Sequence, residues 1–293
     1  MSSVEPGQLY VSTGCLKSRP LEVFLEECAD KNIRNIELSS GVSYETGIIQ
    51  IIEKQRRQFN FLIHNYFPPP QNSFVLNLAA ADESCLIRSL ELCKNAITLC
   101  AELGAPFYSV HAGFRAAIEP ESLGKSLKYD EIIPYDRAFT TFVNSIKSLL
   151  AYARNQKVGL LVEPNVVAGF NIINGRNELL LICGAEEIVH LAECVDDPAF
   201  GILLDTGHLN VTAHVLGFDR KAFVETTAPY VRAYHIHDND GYTDAHRSVK
   251  PDSWIFDILP KSVLEKLPVV IEAKFDNMDD LKKHVRWLKG YLG

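Results

Sequence analysis

One pattern constrains this chain more than any other: short β-rich runs recur along its length, with amphipathic helical stretches between them. The runs are Gln8 to Ser12, Ile33 to Leu38, Asn60 to His64, Phe107 to His111, Gly159 to Glu163, Gly201 to Asp205, Val231 to His235 and Pro268 to Glu272. Most are apolar throughout instead of alternating, the pattern of parallel strands covered by helices. The clearest helix is predicted from Asp82 to Leu103, where Leu86, Leu90, Cys93, Ile97 and Cys100 recur at steps of three and four. Acidic residues open it and Gly104 follows its last turn. A second is predicted from about Tyr135 to Gln156, with Phe142, Ile146, Leu149 and Leu150 on one side. Eight strand–helix units in 293 residues is the arithmetic of an α/β fold of the (β/α)8 barrel type. A doubly wound open sheet would carry a Gly-x-Gly-x-x-Gly turn after its first strand, whereas Val11 to Leu16 reads Val-Ser-Thr-Gly-Cys-Leu. No linker, repeat or low-complexity segment interrupts the pattern, so residues 1–293 are expected to form a single domain.

Composition narrows the classes further. With 47% hydrophobic and 23% charged residues the chain is ordinary globular protein, neither disordered nor fibrous. Its apolar stretches, such as Gly159 to Val162, fall far short of the roughly 20 residues that cross a bilayer, and MSSVEPGQ has no charged-then-apolar leader. No membrane association and a cytoplasmic location are therefore expected. Seven cysteines, an odd number without a Cys-x-x-Cys pair, read as reduced thiols in core packing. The balance of 29 basic against 37 acidic residues gives −8, which makes a nucleic-acid partner unfavourable, although a bound metal would attract phosphate locally.

The chemistry resides where the strands end. Six consecutive predicted strands finish on a metal-capable side chain: His64, His111, Glu163, Asp205, His235 and Glu272. In a barrel those ends converge on one rim. A lone His or Glu at a strand end is more often structural, but six in register point to one pocket. His208 lies one turn beyond Asp205 and can rejoin it, and Asp244 and His246 form an Asp-x-His pair on a loop that Gly241 lets turn back. Imidazole and carboxylate without thiolate suit zinc, manganese or iron(II) in a catalytic site with open positions. Two connections, Ala112 to Tyr135 and Asn165 to Glu178, are long and polar. They follow strand ends, so they are either lids and substrate contacts or solvated insertions.

On these residues the chain resembles the xylose-isomerase-like TIM-barrel superfamily, which holds sugar isomerases and epimerases and abasic-site nucleases of the endonuclease IV type. The matching stretches are His64 with Ser73 to Ala79, Leu103-Gly104-Ala105 leading to Val110-His111-Ala112-Gly113, Leu161-Val162-Glu163, Leu204-Asp205-Thr206-Gly207-His208, His235-Ile236-His237-Asp238 with Asp244-Ala245-His246, and Ile271-Glu272. The resemblance implies that Glu163, Asp205, His235 and Glu272 match the four-ligand site of the epimerases. It equally implies that these four, with His64, His111, His208, Asp244 and His246, match a trinuclear zinc site, so one to three zinc or manganese ions are implied. The chain departs from the nuclease branch at Asn65 to Asn72, which carries three prolines, and at Gly207, where nucleases usually have cysteine. After His246 it lacks the glycine-rich turn common in both branches.

The expectation is a metal-dependent isomerase or epimerase of a sugar or sugar phosphate, proceeding through an enediolate that the metal stabilises as a Lewis acid. Glu163 and Glu272 would remove and return a proton, with His208 among the histidines able to donate to oxygens. Arg115 and Lys274, just past strand ends, are candidates for holding a substrate anion, and Asn165 and His237 are further candidate substrate contacts. His237, two residues beyond His235, reads equally as a residue that orients a ligand or as a core histidine. The alternatives are a zinc phosphodiesterase acting on abasic DNA and a non-catalytic metal- or sugar-binding barrel. A homodimer is left open by the resemblance.

Overall fold

The computed structural model describes residues 8–17, 19–39 and 41–293, so the stretch scanned for a leader lies, up to position 7, outside the described residues. Its strands are Leu9–Ser12 (β1), Asn35–Leu38 (β2), Asn60–His64 (β3), Phe107–His111 (β4), Gly159–Glu163 (β5), Phe200–Asp205 (β6), Val231–Ile236 (β7) and Val269–Ile271 (β8). All neighbours pair in parallel, and β8 returns to β1 to close the barrel. Around it lie Leu21–Asp30 (α1), Ile48–Gln55 (α2), Glu83–Leu103 (α3), Tyr135–Gln156 (α4), Ala185–Val195 (α5), Thr206–Leu216 (α6), Arg220–Thr227 (α7), Ile255–Ile258 (α8), Lys261–Leu264 (α9) and Met278–Leu292 (α10). The expected (β/α)8 TIM barrel is the fold.

Local chemistry sets the element ends. Asp82 caps α3 by accepting from the Cys85 amide at 2.8 Å, and Gly104 ends that helix in the left-handed conformation, φ 73°. The second strand begins two residues later than its apolar run, because the Ile33 amide still serves the Cys28 carbonyl at the end of α1. Among the described residues no helix is long and apolar enough to cross a membrane.

Side-chain alternation along the strands divides the core in two. One set of positions packs outward against the helices. The other fills the barrel interior with Tyr10, Leu62, Phe107, Leu161, Leu203, Ala233 and Val270. Fully burying one of the larger aliphatic members stabilises the fold by about 1.5–3 kcal/mol. Two residues further along these strands come Ser12, His64, Ser109, Glu163, Asp205, His235 and Glu272, so the apolar layer is the floor on which the polar residues stand.

The two long connections are not independent solvated insertions. Ala116 and Ile118 from the first pack with Val167, Leu179, Leu180 and Cys183 from the second and the segment after it, forming a satellite core. An antiparallel bridge joins Phe114 to Leu180.

Candidate metal centre

Period-two alternation aims the last inward side chain of each strand into the mouth of the barrel. Glu163 and His235 are completely buried there and Asp205 is 1% exposed. Asp205 also starts α6, its Oδ1 accepting from the His208 amide at 2.7 Å, so one carboxylate links strand end, helix start and site. Beside it, a Cβ on Gly207 would fall inside the His237 ring, which is why the residue after Thr206 has no side chain.

Glu163, Asp205, His235 and Glu272 bring ligand atoms within 4.8 Å of one another. His235 Nδ1 lies 3.3 Å from Glu272 Oε2, 3.5 Å from Glu163 Oε1 and 3.7 Å from Asp205 Oδ2. Both Glu163 oxygens and His235 Nδ1 are buried without a hydrogen-bond partner among the described residues. Buried polar atoms are nearly always paired. Three carboxylates and an imidazole nitrogen converging on a common centre, with the Glu163 oxygens and His235 Nδ1 unpaired, fit a divalent cation held by nitrogen and oxygen ligands.

Of three further groups among the described residues, one is Glu37, His64 and His235, and two flank this quartet. His64, His111 and Glu163 form one, with His64 Nε2 3.1 Å and His111 Nδ1 3.5 Å from Glu163 Oε2. His237, Asp244 and His246 form the other. His246 donates from Nδ1 to the Glu272 carbonyl at 3.1 Å, and His208 donates from Nδ1 to the Pro164 carbonyl at 3.0 Å. Each therefore presents Nε2 to Asp244 Oδ2, at 3.1 Å and 3.5 Å respectively. Of the nine expected ligands all stand at this mouth, but the outer group takes His237 in place of His208. His237 Nε2 lies 3.1 Å from Asp205 Oδ2 and its side chain is fully buried, which places it among the groups that could hold a metal.

The charges are mutually arranged. Burial opposes ionisation of Asp205, yet the His237, His208 and His235 rings hold its carboxyl far below the usual range. Against the same burial, His235 and His246 bring Glu272 down to about 2. Burial also disfavours charge on His208, His235 and His237, but the facing carboxylates prevail and raise all three, His237 to about 9. His64 and His111 go the other way: burial, reinforced by neighbouring rings, keeps them neutral.

The remaining candidate residues make these contacts. Arg115 donates to Glu178 Oε2 at 2.9 Å and to the Ile133 carbonyl at 3.2 Å, tying the two long loops together. The Asn165 amide nitrogen donates to the Gly113 and Leu181 carbonyls, at 3.1 Å and 3.0 Å, so it too is a loop tie. Lys274 joins the His246 carbonyl through its backbone amide at 2.8 Å and leaves its side chain exposed. The sequence reading missed Glu37, fully buried on β2 with Oε2 2.9 Å from His235 Nε2. Its signal was a carboxylate inside the short strand Asn-Ile-Glu-Leu, at an inward position that Leu62 matches on the next strand.

Comparison with known proteins follows the same lines. A fructoselysine 3-epimerase from Shigella flexneri is 21% identical over 233 residues, covering 78% of this chain and 74% of its own. A solved D-tagatose 3-epimerase-like protein superposes with a TM-score of 0.72 at 20% identity, covering 97% of each chain. A D-allulose 3-epimerase from Methylomonas sp. gives a TM-score of 0.71 at 12% identity, over 99% of each chain. The family model described as xylose isomerase-like TIM barrel matches residues 27–291, and the chain belongs to that family.

Proposed function

We propose that this protein is a divalent-metal-dependent sugar epimerase or isomerase that moves a proton at a carbon beside a carbonyl. The observation that carries the reading is the Glu163–Asp205–His235–Glu272 quartet, its donor atoms within 4.8 Å and both Glu163 oxygens and His235 Nδ1 unpaired among the described residues. The fructoselysine 3-epimerase relative supports the same class of reaction. A bound divalent ion, zinc or manganese by the donor set, would act as a Lewis acid toward the substrate's carbonyl and neighbouring hydroxyl oxygens. Glu163 and Glu272 reach the centre from β5 and β8, two carboxylates able to take a proton from one face of the substrate carbon and return one to the other. His208, its Nδ1 committed to Pro164, has Nε2 3.5 Å from Asp244 Oδ2, from where it could turn its proton to a substrate oxygen. The apolar floor of Leu161, Leu203 and Val270 keeps water from beneath the reacting carbon.

Glu163→Gln keeps the shape but removes the base, and is expected to lower turnover of ketohexoses by at least about 100-fold while the variant folds normally. Exchange of the substrate C3 proton with D2O solvent is the measurement; full exchange activity in the variant removes Glu163 from this role.

A second reading rests on the two flanking groups, His64–His111–Glu163 and His237–Asp244–His246, which exceed what an epimerase needs. Three ions there would suit phosphodiester hydrolysis. Elemental analysis distinguishes the two: one ion per chain supports the epimerase, while three zinc ions with incision of an abasic-site duplex support the esterase.

A further inference from the structure

We propose that Glu37 is a positioning residue for the metal centre: by accepting the Nε2 proton of His235, it fixes the ring tautomer that leaves Nδ1 free to bind the ion. This rests on the metal-centre reading above. The geometry is specific. The Glu37–His235 contact is 2.9 Å between two fully buried side chains 198 residues apart, made across the barrel from β2 to β7. The opposite ring atom, Nδ1, faces Glu163, Asp205 and Glu272 at 3.3 to 3.7 Å and has no hydrogen-bond partner among the described residues. With an ion bound, the Nε2 proton would stay on the side of Glu37 and Nδ1 would turn its lone pair inward, as a carboxylate behind a ligating imidazole enforces.

Packing does not account for Glu37. The register neighbour of Glu37 on β3 is Leu62, part of the apolar interior layer, and an aliphatic residue at 37 would extend that layer. Burying a carboxylate is unfavourable unless a partner compensates, and Oε1 of Glu37 has none among the described residues. The retained interaction is thus the one with His235. Glu37, His64 and His235 also bring ligand atoms within 4.8 Å of one another, and His235 Nε2 is the atom bonded to Glu37.

The test compares the unaltered protein with Glu37→Gln and Glu37→Leu, each stripped of metal, by calorimetric titration with Mn2+ and by the visible spectrum of the Co2+ form. Glu37→Leu is expected to weaken Mn2+ binding about 10–100-fold and to alter the Co2+ spectrum. Glu37→Gln, whose side-chain oxygen still accepts from Nε2, is expected to remain within about fivefold of the unaltered protein. Equal Mn2+ affinity in all three overturns the proposal. Should Glu37→Leu fail to fold, long-range proton–nitrogen NMR of the unaltered Zn2+ form decides: a protonated His235 Nε2 supports the proposal and a protonated Nδ1 overturns it. An unaltered protein that binds no ion removes the centre itself and the role of Glu37 with it, a result distinct from equal binding by all three.

Discussion

At the scale of single residues, this site depends on what is absent as much as on what is present. Gly207 leaves room for the His237 ring, which in turn lies 3.1 Å from Asp205. Gly207→Ala should push that ring off Asp205, destabilising the protein by about 1–3 kcal/mol and weakening metal binding together. Thermal unfolding and Mn2+ titration of the variant check this, and an unchanged midpoint with unchanged affinity would refute the packing argument. The motif Asp-Thr-Gly-His was legible as a site in the sequence. The reason for its glycine was not, because the obstructing ring comes from His237, 30 residues on and just past the end of β7.

At the scale of elements, the two long connections after β4 and β5 behave as one lobe. Arg115 and Glu178 join them across a half-buried ion pair, side chains 12% and 34% exposed. In the sequence Arg115 reads as a candidate for holding a substrate anion; the residue it meets in the structure lies 63 positions on, and no periodicity connects the two. Arg115→Met and Glu178→Gln should each speed proteolysis within residues 112–135, and a double-mutant cycle should give a coupling of about 0.2–1 kcal/mol. Strictly additive effects would mean the pair does not hold the loops. Metal-free protein has its carboxylates balanced by the raised imidazoles of His208, His235 and His237, so binding an ion must release protons.

At the scale of the whole molecule, α10 completes the helical layer after the last strand and carries His284 between Phe275 and Trp287, ring centroids 5.2 and 5.3 Å away. Burial lowers His284 from 6.5 to about 4. The folded chain therefore binds fewer protons there than the unfolded chain in this window. Its stabilising contribution is full above about pH 6.5 and declines as pH falls to about 4, by up to on the order of 3 kcal/mol. His284→Leu should flatten that part of the acid limb in urea unfolding measured between pH 6.5 and 4; parallel curves for variant and parent would sink the assignment. The sequence by itself determined the barrel and most of the mouth. Apolar runs closed by His64, His111, Glu163, Asp205 and His235 encode both a parallel strand and, through strict alternation, the inward aim of its last side chain. Only the tertiary structure decided which of these residues meet: that Glu37 reaches His235, that His237 joins Asp244 and His246, and that Arg115 is spent on Glu178. Alternation fixes the face of a strand on which a residue stands. Distances across the barrel are set instead by its closure and stagger, which bring together strands far apart in the chain and leave no local trace in the sequence.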